Sequence, residues 1–531
     1  MTKASFLRGA MILTIAGIVV KILGGANRIL LSRLLGGEGI GLYQMAYPMY
    51  ILLLSIAGAG VPISVSIMIA EEAARGNYSG VQRIFRVTLG TMSIVAVLCG
   101  VAMAIGTEGL VDVGLIHDSR ALLALLVLAP ALTISIITCC FRGYFQGLQL
   151  MTPTAISQMV DQGVRVLTML ALAYLLLPQG LSIAAAGAAF GAVPGALAGL
   201  CVIVFLYYRH HCQGVPHDVH PFEKLRKSRI LRRLFVLAVP VAAANMLLPA
   251  VASIDVFIVP NRLIAAGFSQ HEATTLFGYL TGMANGLVQV PAILTMALAT
   301  SLVPAVSAAY SKGHFETVLH RTHTAMRIAN IITIPACCGL AVLAVPISKL
   351  LYGTPLAGPS ICVLSISVIL VGLQQISSGL LQGMGHTGIP LLNMVIAACF
   401  KIALSWQLTA LPWLAEVGAA WATNVDLAIA TALNLYFAYR YIQFNIQWLE
   451  MAKLFLSAAA MSGTAWFVYN GMLPLMGNGI ATIAAILLAA IIYVICLFVF
   501  RAIALDEAMR LPVIGNIITK AVGLIVGKKD A

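Results

Sequence analysis

Apolar runs of about 20 residues recur from near residue 10 to near residue 501, each closed by a polar, proline or glycine break. Wound as a helix at about 1.5 Å per residue, such a run crosses the ~30 Å hydrocarbon core of a bilayer. Lipid offers no partner to a backbone N–H or C=O, so a chain built of such runs folds as a helical bundle. The runs fall at about 10–33, 42–70, 84–106, 121–148, 154–177, 181–208, 233–259, 275–309, 325–347, 359–384, 388–411, 416–440, 451–475 and 479–501. They predict an all-α polytopic membrane protein of about fourteen transmembrane helices. With 61% hydrophobic and 9% charged residues, the composition excludes a soluble globular protein. The opening MTKASFLRGAMILTIAGIVVKILGG has no convincing small-residue cleavage site and is expected to stay as the first span.

A net charge of +13 raises nucleic acid as a partner, but the cations lie in the breaks between spans, where they set orientation. Placing the N-terminus in the cytoplasm assigns 23 of the 31 Lys and Arg to the inner face, 4 (Arg33, Arg120, Arg262, Lys349) to the outer face, and 4 to the spans. That bias predicts both termini in the cytoplasm of a bacterial cell and no nucleic-acid partner.

The basic stretch 209–233 divides the chain, and the two sides resemble each other. Residues 187–209 match 418–440 without a gap, Gly143 and Gln146-Gly147 match Gly379 and Gln382-Gly383, and Val61-Pro62 matches Val303-Pro304. Six spans separate equivalent positions, so the halves share one orientation, related by an axis along the membrane normal. The expected organisation is a six-helix lobe over 1–208, a linker over 209–233, a second six-helix lobe over 234–441, two additional helices over 442–501 and a cytoplasmic tail over 502–531.

Four cations, Lys21, Arg28, Arg165 and Lys401, sit deep inside apolar runs. Each costs about 2.5–3.5 kcal/mol at the centre of a membrane helix, so such groups face a bundle interior or a water-filled cavity and meet an anion. Lys21 and Arg28 are two helical turns apart and share a face. Arg165 and Lys401 occupy equivalent repeat positions, so the symmetry puts one cation in each half and suggests a clamp on a diphosphate. Asp161, one turn before Arg165, is positioned to neutralise it, whereas Lys401 has no acidic neighbour within a turn. Asp255 and Asp426 are expected either as counter-ions or as sites for a coupling proton or sodium ion.

Residues 21–77, KILGGANRILLSRLLGGEGIGLYQMAYPMYILLLSIAGAGVPISVSIMIAEEAARGN, resemble the opening of the polysaccharide-transporter branch of the multidrug/oligosaccharidyl-lipid/polysaccharide exporter superfamily, of the stage V sporulation protein B type, related to lipid II flippases. The resemblance extends along essentially the whole chain. It implies two six-helix lobes that alternate access and flip a polyprenyl-diphosphate-linked saccharide outward, with the last two helices bordering a groove for the lipid tail. Lysine stands at position 21 where the family pattern has arginine, which keeps the charge and loses the bidentate fork. The implied partners are a lipid-linked oligosaccharide and membrane lipids, with sodium or a proton as coupling ion and a monomer as the transport unit. A cation-coupled drug antiporter of the same superfamily predicts a cavity dominated by carboxylates, and a membrane glycosyltransferase predicts acidic or His-rich catalytic loops. The balance of intramembrane charges opposes the first, and the short outer loops oppose the second.

The remaining features carry less. The adjacent cysteines Cys139-Cys140 and Cys337-Cys338 point about 100° apart on a helix and read as packing residues. His210, His211, Cys212, His217 and His220 fit no common zinc spacing, and neither metal nor cofactor is expected. Trp406, Trp413 and Trp421 suit an interfacial belt, and the basic amphipathic stretch after 501 suits the membrane surface.

Overall fold

The computed structural model describes residues 3–112, 118–212, 225–445 and 447–500. The tail over 502–531 and most of the linker, including His217 and His220, lie outside the described residues. Those described are helical almost throughout: α1 (Lys3–Gly58), α2 (Val61–Ala74), α3 (Tyr78–Asp112), α4 (Leu122–Leu126), α5 (Ala129–Gly147), α6 (Met151–Leu176), α7 (Leu181–Phe190), α8 (Ala192–Cys212), α9 (Lys227–Ala265), α10 (Gln270–Phe277), α11 (Asn285–Tyr310), α12 (Phe315–Val342), α13 (Ala344–Tyr352), α14 (Gly358–Gly383), α15 (Gly388–Leu408), α16 (Glu416–Ile442) and α17 (Trp448–Val499). A π-helical segment, Gly278–Ala284, joins α10 to α11.

Among the described residues eleven apolar stretches are long enough to cross a membrane. The first and last hold two passes each, because Gly36 and Gly477 take extended left-handed angles (φ 67° and 72°) that break the helix, a conformation open to glycine alone at low cost. Adding α16, whose Glu416, Asp426 and Arg440 lower its hydropathy, gives the fourteen passes expected from the sequence. On α3, Ile94, Leu98 and Ile105 form an exposed apolar stripe (64, 63 and 74% exposed). Such a stripe is stable against lipid and not against water. The protein is an all-α, multi-pass membrane protein.

The chain forms two compact units. One holds residues 1–293 and 395–426, the other 294–394 and 427–531. In the first, Gly143 and Gly147 on α5 face α2 so closely that a β-carbon would lie 2.9 Å from Pro62 O and Val65 Cβ, and 2.7 Å from Ile69 Cβ. In the second, Gly379 and Gly383 on α14 face α11 in the same way, 3.0 Å from Ala299 O and 2.8 Å from Val306 Cβ. The same small-xxx-small seam therefore serves both halves of the repeat, one helix pair in each unit. The second unit's core gathers Leu302, Val306, Ala329, Ile376 and Leu380. Against α12 in that unit lies α17, where Tyr493 donates to Ile331 O (2.9 Å).

Candidate functional site

The first unit brings the predicted charged residues into two groups. In one, the first half of α1 runs along α6: a β-carbon on Gly24 would lie 3.5 Å from Gln162 Nε2, and Asn27 Nδ2 meets Met169 Sδ at 3.5 Å. Arg28 follows on α1 and is half-buried, while Lys21 is exposed. On α6, Arg165 donates to Asp161 Oδ1 through Nη2 (3.0 Å) and Nε (3.3 Å), the i,i+4 pair that the helical spacing predicts. The other oxygen of Asp161 faces Arg142 Nη2 of α5 at 3.5 Å. One carboxylate thus answers two guanidinium groups, so this group stays net positive.

Local sequence explains how close the helices come. A β-carbon on Gly195 of α8 would lie 2.7 Å from Arg165 Cβ and 2.8 Å from Asp161 O, so a bare backbone here lets α8 press against the ion pair. Facing the same cations is a stripe the sequence reading missed, Tyr43, Tyr47 and Tyr50 at i, i+4 and i+7 beyond the break at Gly36. Tyr43 and Tyr47 stack at 5.3 Å between ring centroids, Tyr47 and Tyr50 lie 5.9 Å apart, and the Tyr50 hydroxyl meets Ser135 Oγ at 3.1 Å. Both Arg28 and Arg165 act electrostatically on Tyr43, which places the two cations about one aromatic surface. The spacing in LYQMAYPMY was the available signal.

The second group joins three helices. Lys401 Nζ of α15 donates to Asp255 Oδ2 of α9 at 2.6 Å, with the lysine side chain 8% exposed. Asp426 of α16 interacts electrostatically with both. Two carboxylates for one ammonium leave this group net negative when all three are ionised. In the ungapped repeat match Asp426 stands where the first half has Gly195. The first half keeps its acid on the cation's own helix; the second carries it on the neighbouring one.

A third cluster occupies the end of the first unit where α1 breaks. Glu38 Oε1 accepts from Arg120 Nη1 (2.6 Å) and contacts His271 Nδ1 (2.7 Å). Asp118, 1% exposed, accepts from Arg120 Nη2 (2.7 Å), Nε (2.9 Å) and N (3.1 Å) and from Thr274 Oγ1 (2.9 Å). Burial pushes the Asp118 carboxyl up, but the hydrogen bonds from Arg120 and Thr274 outweigh it and hold the group below its usual range. Beside it α1 meets the π segment with almost no intervening side chain: Gly278 lies over Gly37 O, and Gly41 over Thr274 O. These contacts latch the start of the second repeat half to the first. Near that end Arg262 lies 4.4 Å above the Trp406 ring and donates to its carbonyl (2.9 Å).

Among the described residues no three His, Cys, Asp or Glu side chains gather within metal-binding reach. All ten cysteines are free thiols, and Cys140 and Cys337 are buried as packing residues.

The sequence pattern of the family described as "Polysaccharide biosynthesis protein" matches residues 6–310, more than half of the chain. The chain belongs to that family. It is 29% identical over 522 residues to the Stage V sporulation protein B of Bacillus subtilis (strain 168), covering 98% of this chain and 100% of that one. To the Lipid II flippase MurJ of the same organism it is 26% identical over 423 residues, covering 76% and 77%. Among solved structures it is similar to "Lipid II flippase MurJ, inward closed conformation" (TM-score 0.71, 14% identity, 92% of this chain and 98% of that one). It is also similar to an inward-facing multidrug resistance MATE family transporter of the MOP superfamily (TM-score 0.65, 16% identity, 80% and 94%). At those identities the structural likeness establishes the fold. Family, relatives and fold together make the chain a membrane transporter of that polysaccharide biosynthesis family.

Proposed function

We propose that this transporter flips a polyprenyl-diphosphate-linked saccharide, a cell-wall or polysaccharide precursor, from the inner to the outer leaflet by alternating access. The observation that carries this is the cation excess of the first group, in which Arg142 and Arg165 share the single carboxylate of Asp161 beside Arg28. A diphosphate leaving water loses several kcal/mol or more of solvation unless charge already waits for it. Guanidinium groups supply that charge together with paired donors for phosphate oxygens. In this reading Arg28 and Arg165 hold the diphosphate, Lys21 guides it along the same face of α1, and the tyrosine stripe offers rings to the first sugar.

Lys401 enters differently. Its ammonium is held by Asp255, so it reaches the cargo only when Asp255 releases it. Asp426 gives that exchange a second carboxylate, which a proton or sodium ion neutralises during the cycle; this is the coupling role proposed for Asp255 and Asp426. Exposed apolar side chains along α17, among them Trp466, Phe467 and Leu487, offer a surface for the polyprenyl tail. Of the first two groups, only the second has the carboxylate excess that the drug-antiporter alternative calls for.

The test is complementation of a lipid II flippase depletion, paired with flipping by purified protein in vesicles. Rescue supports a lipid II-like cargo. Failure to rescue together with flipping of another polyprenyl-diphosphate saccharide keeps the mechanism and changes the cargo. Transport of organic cations without any lipid-linked saccharide overturns the proposal.

A further inference from the structure

Away from both charged groups, the opening turns of α3 and the start of α9 enclose an open cavity of about 320 Å³. Among the described residues its charged lining is Arg83, Arg86 and Lys227, with no carboxylate, and Val87 and Leu225 supply an apolar side. The two acids close in sequence are already paired: buried Glu72 accepts from Asn77 Nδ2 (2.6 Å) and Arg75 Nη1 (3.2 Å), and Glu71 Oε2 accepts from Arg233 Nη2 of α9. Asn77 in turn uses its Oδ1 to cap α3, accepting from Gly80 N (2.8 Å) and Ser79 Oγ (3.0 Å). Arg86 Nε donates to the Gln82 carbonyl of its own helix, at 3.4 Å. Arg83 Nε is shielded from solvent and has no hydrogen-bond partner among the described residues.

A shielded guanidinium nitrogen without an acceptor is costly, and two further cations around the same space raise that cost until an anion enters. The volume lies at the small end of ligand sites, about 300–1,000 Å³, which suits a phosphate group with its ester substituent. Two arginines favour phosphate over a simple halide, because each presents paired donors to adjacent oxygens. Arg83 is five residues into α3, about 8 Å along its axis, which is headgroup depth for a span that begins at the membrane face. The cation bias assigns that end of α3 to the inner face, where anionic lipids collect.

We propose that the Arg83, Arg86 and Lys227 cavity is a phosphate-group site, occupied by the headgroup of an anionic lipid at the inner membrane face. The inference rests on the sidedness of α3 and is independent of the cargo, so a binding measurement separates it from the flippase reading. The experiment measures binding of short-chain phosphatidylglycerol, phosphatidylcholine and inorganic pyrophosphate to the full chain in detergent. Phosphatidylglycerol is expected to bind at least about tenfold more tightly than phosphatidylcholine, the worth of one charge-assisted hydrogen bond. Arg83→Gln with Lys227→Gln should remove that preference, and Arg83→Lys should retain part of it. Lys312→Gln, which removes an exposed cation elsewhere on the expected inner face, should leave it unchanged. Pyrophosphate that binds the wild type, is lost in the double variant and displaces the lipid would keep the phosphate site and transfer it to a soluble ligand. Equal binding of the two lipids, or unchanged preference in a well-folded double variant, overturns the site.

Discussion

Asp161 has two guanidinium partners and Lys401 has one carboxylate in direct contact, so the two buried cations differ in how readily they can turn to a substrate. Arg165 shares its acid, and withdrawing toward a diphosphate leaves Asp161 still paired with Arg142. Arg28→Ala is therefore expected to cut flipping by about tenfold or more, with Arg28→Lys intermediate because one charge remains without the planar fork. Normal flipping by a folded Arg28→Ala protein in vesicles would remove the proposed diphosphate contact. At Lys401 the expectation concerns stability. Asp255→Asn strands a buried ammonium at about 3–5 kcal/mol, whereas Asp255→Asn combined with Lys401→Met costs less than the single change. Melting of the four proteins in detergent measures this cycle, and additive losses would show that the pair is not coupled. Helical spacing made the Asp161–Arg165 pair legible in the sequence, but nothing local joins Lys401 to Asp255 across 146 positions or Arg142 to Asp161 across 19. Those contacts exist only once separate helices pack.

Among elements, the repeat was the most legible feature, because Gly143 and Gly379 keep register and each presses its helix onto the equivalent neighbour. Gly143→Val and Gly379→Val should each lower stability by about 1–3 kcal/mol through overpacking, read as a fall in melting temperature. Gly90→Val, with no atom within 4 Å of its added β-carbon, is the matched control. The breaks at Gly36 and Gly477 fall in the gaps that the sequence leaves between its apolar runs, at 33–42 and 475–479, whereas the π segment lies inside the run 275–309 and was not legible. The latch that the break at Gly36 and the π segment help to form depends on Asp118, whose folded pKa lies below its unfolded value. Its contribution is thus fully present above about pH 4, the unfolded carboxylate value, and is lost as pH falls through the lower folded value. The melting difference between wild type and Asp118→Asn should stay constant from pH 7 to pH 5 and shrink only below about pH 4. A difference that already vanishes at pH 5 would mean that Asp118 does not carry the latch as a carboxylate.

For the whole molecule, hydropathy fixed the class and the loop cations gave an expected orientation, because both are sums over many residues that no single contact can reverse. The site needed the packed helices, since its groups come from six of them. The proposed alternating access adds one requirement that a static bundle does not: under it, contacts at the latched end open during the cycle. Gln44 Nε2 donates to Thr281 O at 3.0 Å, joining α1 to the π segment beside Gly41 and Gly278. Gln44→Cys with Thr281→Cys, in a background with the ten native cysteines replaced, should crosslink efficiently in the resting protein. Saturating lipid-linked substrate should change the crosslinked fraction by shifting the population of closed latches. The pair Ala96→Cys and Thr133→Cys spans the α3–α5 contact within one repeat half, where Thr133 Oγ1 donates to Ala96 O at 3.1 Å, and its crosslinking should not respond to substrate if that half moves as a body. Identical crosslinking of the first pair with and without cargo, in protein shown to be flipping, would exclude opening at this latch and move the outward path elsewhere in the bundle.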